Sequence, residues 1–150
     1  MTAGALTIRD GTQADAPACA AILNAWIDAT PWMPRVHTPE AVEQHYRDFV
    51  LKKRKTLIAE AERVVGFAAL DMEERYVTAL YVAEDVRGRG LGEVLMNEAK
   101  ALSPSELNLW THVANADAQR FYLREGFAEV ERTDGDNEEN IPDIRYRWAA

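Results

Sequence analysis

Apolar and polar positions along this chain follow two rhythms. Short runs rich in β-branched and aromatic residues, several alternating every second position, predict strands. They span Leu6 to Arg9, Thr56 to Ala61, Val64 to Leu70, Tyr76 to Val82, Leu107 to His112, Ala128 to Arg132 and Ile144 to Trp148. Between them, apolar residues recur at helical spacing. Cys19, Ile22, Leu23, Trp26 and Ile27 make one stripe behind a Thr12 cap, and Val42, Tyr46, Phe49 and Val50 make a second behind Thr38-Pro39-Glu40. Leu91, Val94, Leu95, Ala99 and Leu102 make a third, and a fourth helix runs from the Asn115 cap to Gly126. Turn residues separate these elements at Thr30-Pro31, at Glu62-Arg63 and at Pro104.

The sum is an α/β (α+β) domain over residues 1–150, with a mixed, mostly antiparallel sheet of about seven strands and four helices. At 150 residues the chain is long enough for one domain with its own core, and no linker, repeat or low-complexity tract divides it. A single cysteine, Cys19, makes no internal disulfide and sits on an apolar stripe, so it reads as a core residue in a cytoplasmic protein. Asp10 and Asp15 fall where a secretory leader is uncharged, and no apolar run approaches membrane-spanning length. The net charge of −8 disfavours nucleic acid and favours cationic partners. Lys52-Lys53-Arg54-Lys55 is the one basic cluster, read as a solvated helix end.

The candidate chemistry centres on Arg87-Gly88-Arg89-Gly90-Leu91-Gly92, set between a strand and a helix. Such a turn gathers backbone N–H groups at the positive end of a helix dipole, which suits phosphate. A dinucleotide fingerprint needs a third glycine where Glu93 stands, and a Walker loop needs Lys-Ser/Thr after its last glycine. What remains, Arg-x-x-Gly-x-Gly after a strand ending Leu80-Tyr81-Val82, resembles the pyrophosphate loop of the GNAT superfamily of N-acetyltransferases. A second stretch, Asn115-Ala116-Asp117-Ala118-Gln119-Arg120-Phe121-Tyr122-Leu123-Arg124-Glu125-Gly126-Phe127, resembles that superfamily's later motif. The likeness extends over almost the whole chain and is weakest between Ala29 and Lys55.

The resemblance implies acetyl-CoA as cosubstrate, no metal, and direct transfer of acetyl to a primary amine of a small molecule or peptide in a ternary complex. The alternative is a non-catalytic acyl-CoA-binding or sensor module on the same fold. Leu80, Tyr81 and Val82 are expected to offer backbone groups freed by a bulge to the cofactor. Arg87, Gly88, Arg89, Gly90, Leu91 and Gly92 are expected to hold its pyrophosphate, and Asn115 and Tyr122 to contact it further. Tyr122 would protonate the departing sulfur, with Asn115 and Ala118 on the same helical face and Phe121 turned into the core. For the base, Glu73 is preferred among Asp71, Glu73 and Glu74, with His37 and His112 as alternatives. Trp32, His37 and His112, with the acidic run Asp134 to Asn140, are expected to frame the acceptor pocket and to suit an amine carrying apolar bulk. A homodimer is compatible with the resemblance, although no interface signature is visible.

Overall fold

In the computed structural model, which describes residues 5–150, seven strands form one sheet in the order β1-β2-β3-β4-β5-β7-β6. They are β1 (Thr7–Asp10), β2 (Lys55–Ala61), β3 (Arg63–Asp71), β4 (Tyr76–Val82), β5 (Glu106–His112), β6 (Ala128–Thr133) and β7 (Asp143–Ala149). Every neighbouring pair is antiparallel except β4 and β5, which run parallel and pair only at Tyr76 and Asn108. Beyond that one rung the two strands diverge toward Val82 and His112. The edge of β4 that faces β5 is thereby left without a strand partner.

Helices cover both faces. One face carries α1 (Ala16–Ala29) and α2 (Pro39–His45), with Cys19, Ile22, Val42 and Tyr46 packed on Ile58, Phe67 and Ala69. The other carries α3 (Leu91–Leu102) and α4 (Ala116–Arg124), with Leu95, Met96 and Ala99 against Leu57, Ala68, Leu70, Leu109 and Tyr146. The helical stripes read from the sequence are therefore mostly the buried ones.

Two local features depart from a simple reading. Thr78 is an extra residue in β4: Ala69 pairs with Ala79 while Leu70 pairs with Val77. The Thr78 hydroxyl donates to the Ala69 carbonyl at 3.0 Å. This bulge reverses side-chain parity, so Val77 and Leu80 share the α3 face while Ala79 and Tyr81 face α1. The second departure is in the helix after Thr38, whose hydroxyl caps it by accepting from Ala41 N–H at 3.1 Å. Past His45 it widens into a π-turn over Tyr46–Val50, where the Leu51 N–H reaches the Tyr46 carbonyl. Tyr46 and Val50 stay buried, but the wider turn rotates Phe49 off the inner face, to 38% exposure, stacked on His45. Phe49 is thus not the core residue its spacing predicts.

The first strand is anchored by charge rather than apolar area. The Arg9 guanidinium grips both oxygens of Asp15 at 2.9 and 2.8 Å, and Asp15 also accepts from the Thr12 N–H at 2.9 Å. The hydrogen bonds from Arg9 hold the Asp15 carboxyl below its usual range against the opposing cost of burial.

Candidate active site

The divergence of β4 and β5 opens a cleft of about 1220 Å³. One half is built from consecutive residues. After β4 the chain makes a short 3-10 turn at Glu84–Val86, then a glycine turn, and enters α3 at Gly90. Gly88 and Gly90 both hold left-handed backbone, with φ of +80° and +79°, which a side chain resists. A Cβ on either would meet no protein atom within 4 Å, so the space over this turn belongs to the cleft. Leu91, Gly92 and Glu93 form the first turn of α3, whose N–H groups have no acceptor within the helix. Arg87 lines the same wall, with its Nε donating to the Val82 carbonyl at 3.1 Å. This cradle fits a pyrophosphate: open backbone donors, a helix N-terminus and one guanidinium.

Two residues of the loop behave differently from expectation. Arg89 does not line the cleft; its charge acts on Asp85 instead. Gly92 faces the cleft, but a Cβ there would stand 3.3 Å from the Phe121 ring, so this glycine serves helix packing. Phe121, in turn, is not withdrawn into the core; it borders the cleft beside Tyr122.

Tyr122 and Asn115 reach the cleft from α4, and Leu80, Tyr81 and Val82 reach it from β4. Asn115 caps its helix by accepting from Ala118 N–H at 3.1 Å. The Tyr122 ring packs between Phe127 and Tyr146, with centroids 5.9 and 6.0 Å away. Among the described residues nothing hydrogen-bonds its hydroxyl. Burial raises the pKa of that hydroxyl well above the ordinary phenol value, so it keeps its proton at every physiological pH.

The other half of the cleft is assembled from distant segments. His37, from the loop between α1 and α2, pairs with Glu138 from the loop between β6 and β7, joining two walls. His112 ends β5 with its Nε2 3.3 Å from Oε1 of Glu139. Trp32 stands one layer back, outside the lining, its ring edge-on to His112 at 5.6 Å and to Trp26 at 5.7 Å. Trp26 itself lines the cleft, although its spacing marks it as core.

Glu73 is placed elsewhere. It lies exposed in the β3–β4 turn, where its N–H and that of Glu74 donate to Asp71 at 3.1 Å, and Asp71 is paired with Arg54 at 2.5 Å. This hairpin is at the end of β4 that pairs with β5, while the cleft opens at the other end. Neither Glu73 nor its neighbours Asp71 and Glu74 line the cleft. Sequence reasoning singled out neither Tyr81 as an acceptor-side group nor Glu139 within its acidic run. The available signal for Glu139 was its place just before the last strand.

Among the described residues, no group of three or more His, Cys, Asp or Glu side chains is arranged to hold a metal ion, and no helix is long and apolar enough to cross a membrane. Residues 20–127 match the Acetyltransferase (GNAT) family. The peptidyl-lysine N-acetyltransferase YiaC of Escherichia coli is 29% identical over 132 residues, 83% of this chain and 84% of that protein. The peptidyl-lysine N-acetyltransferase YjaB of the same organism is 34% identical over 80 residues, 53% of this chain and 52% of that one. The solution structure of apo YjaB superposes with a TM-score of 0.78 at 26% identity, covering 96% of this chain and 97% of that one. A GCN5-related N-acetyltransferase from Rhodopseudomonas palustris gives 0.76 at 25% identity, covering 100% and 99%. With the family match spanning most of its length, and this fold around this cleft, the chain belongs to the GNAT family and is an N-acetyltransferase.

Proposed function

We propose that this single domain uses acetyl-CoA as its cosubstrate and passes the acetyl group directly to a primary amine of a small molecule or peptide. The observation that carries the reading is one continuous cleft holding an anion cradle at one end, an unpartnered tyrosine hydroxyl midway and a carboxylate-lined pocket at the other. Arg87 and the backbone of Gly88 through Gly92 would hold the pyrophosphate. The unpaired edge of β4 past the Thr78 bulge offers main-chain groups to the pantetheine and the acyl oxygen. When bound, acetyl-CoA supplies the thioester carbonyl that the amine attacks. Tyr122 holds a proton in reach of the same cleft and gives it to the departing thiolate. Cys19 is fully buried, and burial pushes its thiol up to about 12, so it offers no nucleophile for a covalent relay.

Relatives named as peptidyl-lysine N-acetyltransferases make a lysine side chain the first acceptor to try. A reducing cytoplasm is the proposed setting for the lone thiol. The reading is tested by thermal shift with acetyl-CoA, CoA, ATP and NADH at matched concentrations, followed by thiol release over a panel of amines. Ligand at a hundred times its dissociation constant adds about 2.7 kcal/mol of stability. Stabilisation by the CoA species, with thiol release on adding an amine, is the expected result; indifference to CoA species would remove the reading.

A further inference from the structure

The acceptor half contains several carboxylates, and their surroundings separate them. Glu138 is paired with His37, Asp143 with the Thr133 hydroxyl and Asp117 with Arg120. Asp48 and Glu93 are exposed to solvent. Glu139 is different: its side chain is only 19% exposed, it lines the cleft, and among the described residues its one ion-pair partner is Nε2 of His112 at 3.3 Å. A mostly buried carboxylate met by a single imidazole still leaves one oxygen to be satisfied by something else. Oε1 is turned to His112, and among the described residues Oε2 has no hydrogen-bond partner on a residue that borders the cleft.

Its position is specific. Oε1 lies 3.3 Å from Nε2 of His112 at the end of β5. On the β4 side, burial together with the Glu139 charge pushes the Tyr81 hydroxyl up to about 12. Glu139 thus stands against the tip of β5 and lines the same cleft as the unpaired edge of β4. The His112 ring has no comparable opening. Its Nδ1 is enclosed without a partner, its Nε2 is turned to Glu139, and the Trp32 ring backs it. The imidazole thus has no free nitrogen facing the cleft, whereas the carboxylate keeps Oε2 without a hydrogen-bond partner among the described residues.

We propose that Glu139 holds the ammonium group of the acceptor at the β4–β5 divergence and takes its proton, with His112 and Trp32 as positioning residues. The inference rests on the acetyl-transfer reading and names the amine side of the same site. In the step, one N–H bond of the ammonium breaks with its electron pair left on nitrogen, and a carboxyl O–H forms on Glu139. The resulting amine is the nucleophile, and the carboxyl returns its proton to water. Glu139 faces His112 from β5, and the other titratable groups on this half of the cleft are Tyr81 from β4, Asp143 at the start of β7 and the His37–Glu138 pair. The ligand class is a primary ammonium on an apolar stem, because Trp26, Phe49 and Trp110 are among the residues lining the same cleft.

The test uses n-butylamine as the probe and n-butanol as its neutral counterpart, with salt matched. In wild type saturated with CoA, butylammonium should raise the melting temperature and butanol should not. Glu139→Gln should keep its shift with acetyl-CoA, lose its response to butylammonium, and slow butylamine-dependent thiol release by roughly 10²-fold or more. His112→Gln, which keeps a polar group beside Glu139, should retain more turnover than His112→Leu, with the acetyl-CoA shift unchanged in both. Equal butylammonium responses in wild type and Glu139→Gln would overturn the assignment. So would a wild type that answers to acetyl-CoA and ignores butylammonium. A protein that ignores acetyl-CoA overturns the acetyl-transfer reading itself, and this assignment with it.

Discussion

The two halves of the cleft are made in opposite ways. The proposed anion cradle is local: Arg87 through Gly92 follow one another, and at Gly88 and Gly90 it depends on backbone conformation that glycine alone adopts cheaply. The acceptor pocket is non-local. His37 and Glu139 come from two separate loops and His112 from the end of a strand, and the proposed role of this half rests on side chains brought together by the sheet. A local, backbone-made site leaves a written signature, whereas a pocket made of loops leaves residue types that are common on any acidic surface. Substitutions should separate the halves in the same way, cofactor affinity answering to one and amine handling to the other.

The largest effect should come from Gly90→Glu. Its φ of +79° costs a non-glycine residue about 1–2 kcal/mol, and its carboxylate would project into the space kept for phosphate. The protein should still melt cooperatively, yet show no stabilisation with acetyl-CoA at concentrations that shift wild type. Retained affinity would mean that the cradle is only a turn. Next comes Tyr122→Phe, at the seam between the halves. Turnover should fall by about tenfold to a hundredfold, less than the full range for a general acid because a thiolate leaves readily. The thermal shift with acetyl-CoA should barely change. Because burial raises the Tyr122 pKa, the phenol stays protonated as pH passes its ordinary value of about 10. A kcat profile should therefore show no loss assignable to Tyr122 up to that pH, and a fall near pH 8 that Tyr122→Phe abolishes would contradict this.

A smaller effect belongs to the acceptor half alone. His37 and Glu138 are both more than half exposed, so their pairing contributes at most about 1 kcal/mol. His37→Gln should raise the amine KM by no more than roughly fivefold, corresponding to that limit, and leave acetyl-CoA affinity alone. A change in the acetyl-CoA shift would show that the two halves are coupled through that wall.

The same contrast explains what could be read from sequence. The succession of strands and helices along the chain, most of each helical stripe, the Thr38 and Asn115 caps and the glycine turn depend on neighbours within a few residues, and the fold preserves them. Phe49 misleads because a π-turn changes the helical period where spacing assumes it is constant. Glu73 misleads because which end of β4 opens is decided by its pairing with β5, a contact across more than thirty residues. Trp26 carries the spacing of a core residue, but α1 leaves it lining the cleft, its ring tilted against Tyr81 with centroids 5.5 Å apart. Glu139 becomes distinctive only when His112 stands against it in the cleft that Tyr81 also lines.

Gly90 and Gly92 lie two residues apart in one motif, yet they should respond differently to the same small change. Gly90→Ala must force a Cβ onto left-handed backbone, so it should lose about 1 kcal/mol of stability and weaken acetyl-CoA binding. Gly92 sits in the first turn of α3 with helical backbone, where alanine gains up to about 1 kcal/mol over glycine. Against that gain stands the Phe121 ring, 3.3 Å from the new Cβ at its Cε1 and Cζ atoms. Those atoms are the free edge of a ring that borders open space, so they can move by the few tenths of an ångström required. The opposing terms nearly cancel, and Gly92→Ala should stay within about 1 kcal/mol of wild type in a urea melt. Its acetyl-CoA shift should match wild type within error. Loss of that shift in a stably folded Gly92→Ala would mean that the phosphate lies against the Cα of Gly92, where a Cβ excludes it, and not only against its N–H.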